Sequence, residues 1–128
     1  AKCIRIEAAT MAEMVRRQIL PAGQTALREL GQTSRAKQEI SPLLSCKAEE
    51  LLGTQIANYN DMLLAGCTLL ENLLRDFPSG TEEQKALYAR DRLLPAMNEL
   101  RQAADALEQM CPAHLWPMPT YGELLYGV

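Results

Sequence analysis

Aromatic side chains are scarce in this chain: Trp, Tyr and Phe together make up 5% of its 128 residues, and it has a single histidine. The core must therefore come from Leu, Ala, Met and Ile, a mixture typical of helices rather than strands, where β-branched and aromatic residues dominate. One histidine is also too few for a zinc set or for the paired E-x-x-H motifs of a di-metal helical bundle. The composition predicts an all-α fold with no cofactor or metal site of its own.

Basic charge, long apolar runs and paired cysteine motifs are also missing. The net charge of −3 leaves no footprint for nucleic acid, and no apolar run approaches the ~20 residues that a membrane span needs. No signal-peptide pattern opens the chain. The four cysteines, at positions 3, 46, 67 and 111, form no C-x-x-C pair, which predicts free thiols in a reducing, cytoplasmic environment. By helical geometry only Cys46 and Cys111 could meet in a disulfide.

Three amphipathic stretches are present, and they predict helices over about 4–30, 42–76 and 81–111. In each stretch apolar residues recur at alternating steps of four and three. The first stripe holds Ile4, Ala8, Met11, Val15, Gln18 and Ala22; the second holds Leu52, Ile56, Tyr59, Leu63, Gly66, Leu70, Leu73 and Phe77; the third holds Ala86, Leu93, Met97, Leu100, Ala104, Leu107 and Cys111. Further apolar residues, Leu51, Met62, Leu64 and Leu69, predict that the second helix is central and buried on two sides.

Local signals set the expected boundaries of these helices. Gly31 and the polar residues 31–41 predict the first connection, and Ser41-Pro42 predicts an N-cap followed by proline at the first helical position. The capping box that begins at Thr81 predicts the start of the third helix, and Pro112 its end. A similar box at Thr10 offers an alternative start for the first helix, with residues 1–9 as a lead-in.

Pro21 and Pro95 fall inside helical patterns and share a local sequence, QILPA against RLLPA. Each proline removes one backbone hydrogen bond and crowds the preceding turn, so a kink is expected at each. Short connections between long helices predict an up-down-up bundle. In that arrangement the two kinks would lie within about one turn of the same height.

The C-terminal stretch carries the only tryptophan and two of the four tyrosines, large rings that are scarce in the helices. Its prolines predict an extended strap over 112–120, followed by a short helix over 121–126. The strap is long enough to fold back along the bundle. We expect it to dock through its large side chains: Trp116, Met118, Tyr121, Leu124, Leu125 and Tyr126.

No set of residues predicts catalysis. The arginines all miss the apolar stripes, whose only polar members are Gln18 and Tyr59. A small helical enzyme that holds an anion with inward Arg or Lys is therefore disfavoured. Two other interpretations remain: a helical domain cut from a longer enzyme, and a free-standing helical protein–protein interaction module. The first residue is not Met, which fits a fragment and equally fits removal of an initiator Met.

Two segments carry a resemblance to a known family: LPAMNELR at 94–101 and LWPMPTYGELLY at 115–126. They resemble the C-terminal end of type III glutamine synthetases, and residues 6–11 and 18–22 resemble the start of the same helical extension. That family joins ammonia to glutamate at the expense of ATP, with Mg or Mn, in large two-ring oligomers. Its catalytic motifs lie upstream and are absent here. The resemblance implies a non-catalytic helical C-terminal domain of a nitrogen-metabolism ligase, whose partners are the catalytic domain and neighbouring subunits.

Overall fold

The computed structural model describes residues 2–116, with side chains from Ile4 onward, and this part of the chain is all-α, as predicted. It contains three helical runs and no strand. Helix α1 (2–40) comprises Lys2–Met14, a π turn at Val15–Ile19 and Leu20–Ile40; helix α2 is Lys47–Arg75; helix α3 (82–110) comprises Glu82–Tyr88, a π turn at Ala89–Leu93 and Leu94–Met110. A 3-10 turn, Ala113–Leu115, follows α3.

The predicted end of the first helix is wrong, because α1 passes through Gly31 and continues to Ile40. No residue between Gly31 and Ile40 breaks a helix. The last turn also forms an ion pair with the start of α2, where Lys37 Nζ lies 2.8 Å from a carboxylate oxygen of Glu49. The helix ends where residue 41 precedes a proline, which disfavours helical torsions. Ser41 is accordingly extended, with φ −163° and ψ 134°.

Two further expectations at the helix starts are wrong. Ser41 is not an N-cap, since α2 begins at Lys47, whose N–H donates to Ser45 Oγ at 3.2 Å. The alternative start at Thr10 is also excluded, because the helix is already formed from Lys2. The capping box of α3 is confirmed, with Gln84 N–H donating to Thr81 Oγ1 and Thr81 N–H donating to Gln84 Oε1.

The beginning of the strap is not extended throughout. Ala113–Leu115 forms a 3-10 turn in which Leu115 N–H donates to Pro112 O at 3.0 Å. Only residues that precede a proline are forced out of helical torsions, and none of these three does. Trp116 precedes Pro117 and is extended, with φ −81° and ψ 118°. The rest of the strap and the short helix over 121–126 lie outside the described residues.

Each internal proline follows a π turn. Leu20 N–H donates to Val15 O and Leu94 N–H to Ala89 O, five residues back in each case. In an α-helix a proline ring clashes with the carbonyl four residues before it, and the wider π turn moves that carbonyl away. Proline also has no N–H to donate at this point. The angle by which either helix bends there stays a prediction.

The expectation that both prolines lie at the same height is wrong. Gly23 lies against Leu107, 84 positions later, and the π turn Ala89–Leu93 packs against Lys2–Met14. The two prolines are only 74 positions apart, so Pro95 lies about ten residues, or ~15 Å, nearer the start of α1 than Pro21 does.

The core lies between the three helices. Its largest fully buried side chains are Val15, Ile56, Leu63, Cys67, Leu70, Leu93, Met97, Leu100 and Leu107. Gln18, expected in the first stripe, is exposed, and Ile19 is buried in its place, because the π turn rotates residue 18 away from the core. Ala86, expected in the third stripe, is exposed too, one turn before the buried Ala89.

Two rings close one end of the core. The Phe77 and Tyr88 rings meet edge to face, with centroids 5.5 Å apart, and the Arg5 guanidinium lies 4.2 Å from the Phe77 centroid. Tyr88 Oη donates to Leu73 O at 2.7 Å. This cluster joins all three helices.

Candidate functional site

An open groove of about 430 Å³ runs between α1 and α3. Its walls are mainly apolar, and three flexible methionines, Met11, Met14 and Met97, contribute to them. Trp116 lies at one end, half-buried and packed against the core. The structure thus places one of the predicted docking residues in a groove of the size that typically holds a ligand or several side chains.

Acidic side chains dominate the edges of the groove. Among the residues that the structure describes, Glu7, Asp105 and Glu108 line the groove, and Arg101 is the one cation. Burial raises the pKa of the Asp105 carboxyl, and the charge of Arg101 offsets this only in part. An excess of carboxylates repels anionic ligands such as phosphates or dicarboxylates. The groove is therefore suited to an apolar or weakly polar occupant.

A buried amide lies at a close contact between α1 and α2. Asn60 is 5% exposed, and its Nδ2 donates to Gln24 Oε1 at 2.9 Å. Its side chain lies directly against the backbone of Gly23, where a Cβ would meet Asn60 Oδ1. Sequence analysis did not identify this contact, although a glycine inside a long helical pattern was a signal for it. The amide joins helices and forms no part of a reactive set.

Another polar contact crosses between α1 and α2. The Arg16 guanidinium binds both carboxylate oxygens of Glu71, with 2.8 Å for each pair, and lowers the pKa of Glu71. Beside it the buried Cys67 thiol donates to Ala12 O at 3.3 Å. Burial raises the pKa of Cys67, so the thiol stays protonated and is a poor nucleophile. This group of side chains is a clamp between helices.

No metal centre is formed by the part of the chain that the structure describes, which holds no group of three or more His, Cys, Asp or Glu residues placed to bind one ion. His114 is exposed in the 3-10 turn. The three cysteines with described side chains, Cys46, Cys67 and Cys111, are free, as predicted. Within residues 2–116, no helix is long and apolar enough to cross a membrane.

The prediction that α2 is buried on two sides is wrong, since Leu51, Met62, Leu64 and Leu69 are all about half exposed. Three of them belong to an exposed row beside the buried stripe of α2, which we call the uncharged face of α2. It follows alternating steps of four and three and consists of Leu51, Gln55, Asn58, Met62, Ala65, Leu69 and Asn72, all exposed. No charged residue falls on it over 21 positions, or roughly 31 Å.

Only one of the six predicted docking residues is among those that the structure describes. Trp116 lies in the groove, whereas Met118, Tyr121, Leu124, Leu125 and Tyr126 lie outside the described residues. The groove and the uncharged face of α2 are surfaces that were not predicted from the sequence. The spacing of the second feature could have revealed it, because 51, 55, 58, 62, 65, 69 and 72 repeat as regularly as the buried stripe does.

Comparison with known proteins gives one informative similarity. No protein-family model matches the chain, and no solved structure matches it significantly. The chain is similar to the Type-3 glutamine synthetase of Dictyostelium discoideum, with 24% identity over 133 residues. The match covers 98% of this chain and 18% of that much longer protein. The resemblance expected from the sequence is therefore confirmed: this helical chain is similar, over nearly its whole length, to a Type-3 glutamine synthetase.

Proposed function

We propose that the chain is a non-catalytic helical C-terminal domain of a glutamine synthetase-like ligase, in which it serves assembly or packing on the catalytic domain. The observation that carries the proposal is the length of the similarity, which extends over 98% of this chain while occupying a small share of the relative. A match confined to one helix would reflect amphipathic composition alone. A match from end to end supports a shared domain.

The chemistry of the described residues supports a non-catalytic role. Their polar contacts join helices to one another, as in the buried Asn60 with Gln24 and the exposed pair Arg16–Glu71. The groove has an excess of carboxylates, which opposes the binding of ATP and glutamate, the substrates of the proposed parent. Catalysis, with its nucleotide and its Mg or Mn, would then belong to the rest of the parent polypeptide.

The contacts between helices support the up-down-up arrangement. Ala12 contacts Cys67, Gln24 contacts Asn60 and Lys37 contacts Glu49, so residue numbers rise along α1 as they fall along α2. Between α2 and α3 the order is again opposite, with Leu73 beside Tyr88 and Gly66 beside Leu100. We propose that α2 runs against both neighbours and that the bundle bends at its two prolines.

The uncharged face of α2 is the surface that we assign to packing in the parent. It is a long exposed row on α2 without charge, and its four-three spacing is that of a helix seam. A free domain gains nothing from half-exposed Leu51, Met62 and Leu69. Covering such a face by the catalytic domain or a neighbouring subunit would remove their apolar surface from water.

An activity assay tests the non-catalytic role. The 128-residue chain, supplied with ATP, glutamate, ammonia and Mg or Mn, is expected to form no glutamine above a heat-denatured control. Glutamine formation that rises in proportion to the concentration of this chain would overturn the proposal.

Substitution on α2 tests the packing role in the longer ligase. Met62→Glu with Leu69→Glu is expected to reduce assembly of the ring oligomer, measured by sedimentation, and ligase activity with it. The matched control is Thr54→Glu with Thr68→Glu, two exposed positions on α2 outside the uncharged face. Equal assembly of both double variants would contradict the assignment.

A further inference from the structure

We propose that the groove between α1 and α3 is the seat of this chain's own C-terminal segment, residues 117–128, which enters it at Trp116 and places Leu124, Leu125 and Tyr126 along its floor. The proposal concerns contacts within this chain and does not rest on the proposed function. Its first support is position. Trp116, the last described residue, already lines the groove, so the chain continues from inside the groove's end.

The end at which Trp116 lies is fixed by its neighbours. The 3-10 turn Ala113–Leu115 packs against Leu20–Ile40, and Glu108 lies at the end of α3. Ile6, which is 65% exposed, lies at the other end of the groove. The open length of the groove therefore extends from Trp116 toward the start of α1, in the direction in which the chain can fold back along α3.

The length of the segment matches that of the groove. Along α1 the groove extends from Ile6 to Ile19, roughly 20 Å at the helical rise. Twelve residues follow Trp116, and they cover roughly 37 Å when extended or 18 Å when helical. Leu124 and Leu125 are eight and nine positions after Trp116, roughly 12–14 Å at the helical rise, so a helical segment brings them over the groove without moving a described helix.

The chemistry of the two surfaces is complementary. The methionines of the wall can adjust to side chains of varied shape. The segment offers Met118, Leu124 and Leu125 to that wall, and its only charged side chain is that of Glu123. The hydroxyls of its two tyrosines can donate hydrogen bonds to carboxylates at the edge, such as Asp105. A strongly acidic partner would meet repulsion there instead.

The decisive experiment uses the whole chain and its only tryptophan. Leu124→Asp with Leu125→Asp is expected to release the segment, so that acrylamide quenching of Trp116 fluorescence rises and the neutral dye Nile red begins to bind. The matched control is an adjacent pair of exposed leucines in the loop after α1, Leu43→Asp with Leu44→Asp, which should change neither signal. The helical circular dichroism signal should be the same for the native chain and both double variants.

A second pair of variants tests the groove side. Ala104 lines the groove, and Ala65 is exposed on the uncharged face of α2. Ala104→Glu is expected to raise the quenching of Trp116 as the leucine pair does, and Ala65→Glu to leave it unchanged. If Ala104→Glu loses helical structure, the leucine pair decides alone, because its residues lie outside the described core.

Three outcomes would overturn the proposal. The first is quenching that Leu124→Asp with Leu125→Asp leaves unchanged. The second is a response to Ala65→Glu and none to Ala104→Glu, which would place the segment on α2. The third is a whole chain that sediments as a dimer and becomes a monomer with Ala104→Glu, which would make a second copy the occupant of the groove.

Discussion

Replacing Gly23 by alanine is the sharpest test of how the helices pack. Alanine in place of glycine inside a helix normally stabilises by about 0.5–1 kcal/mol, because the unfolded chain loses freedom. At position 23 the new Cβ would meet Asn60 Oδ1 and stand 3.0 Å from Leu107 Cδ2. The substitution therefore overpacks the point where all three helices meet.

The expected magnitude follows from the terms in conflict. Overpacking a core costs about 1–3 kcal/mol, and a displaced Asn60 loses its bond to Gln24, which adds about 0.5–1.5 kcal/mol. These costs exceed the gain in helix propensity, so Gly23→Ala should lower the free energy of unfolding by about 1–3 kcal/mol. For a chain of this size each kcal/mol corresponds to a change in Tm of about 3–6 °C.

The assay is thermal or urea unfolding followed by circular dichroism, with Gly31→Ala as the matched control. Gly31 lies inside α1, and a Cβ there would meet only Arg35, at 3.9 Å, so this variant should be more stable by about 0.5–1 kcal/mol. In the background Asn60→Ala, the cost of Gly23→Ala should fall. A stabilising Gly23→Ala would refute the close approach, and a destabilising Gly31→Ala would refute the continuity of α1.

Three other perturbations test the clamp, the thiols and the core. Glu71→Gln removes a carboxylate whose pKa is lowered in the folded state. The stabilisation from this carboxylate should be present at neutral pH and disappear as pH falls below roughly 4.3. Urea unfolding of the native chain and the variant should therefore differ at pH 7 and converge in acid. In the native chain a thiol reagent should modify the half-buried Cys46 well before the buried Cys67, and equal rates would contradict the described packing. Leu63→Ala should cost about 2–5 kcal/mol, whereas Leu64→Ala, at a half-exposed position, should stay within about 0.5 kcal/mol, and similar unfolding curves would show that α2 is buried on both sides.

The start and end of α3 were predictable from the sequence because they depend on neighbouring residues. The capping box at Thr81 needs only residues 81–84, and the end of α3 needs only the proline at 112. These signals act through hydrogen bonds and torsions of adjacent residues. They retain their meaning whatever the rest of the chain does.

The end of α1 was not predictable in the same way. A glycine inside a helix costs only about 1 kcal/mol relative to alanine, so Gly31 alone need not end α1. The ion pair that stabilises the last turn joins Lys37 to Glu49, 12 positions later. Such a contact exists only once α2 has packed. Local sequence favoured a stop at Gly31, and tertiary structure overrode it.

The candidate surfaces were less predictable than the helices. The spacing of apolar residues such as Met62 is the same whether their helix face is buried within the chain or exposed on its surface. Spacing alone therefore led to the wrong prediction that Met62 is in the core. The groove likewise depends on how far α1 and α3 separate. Trp116 was identified because it is one of the large side chains of the C-terminal stretch, a property of composition that needs no knowledge of packing.

We propose that this chain is one domain of a longer glutamine synthetase-like polypeptide. This is tested by the intact mass of the polypeptide that an antibody against this chain captures from the cells that express it. We expect a mass several times the 14.2 kDa of this chain, since the similar Type-3 glutamine synthetase is several times as long. A captured polypeptide with the mass of this chain alone would show that the proposal is wrong.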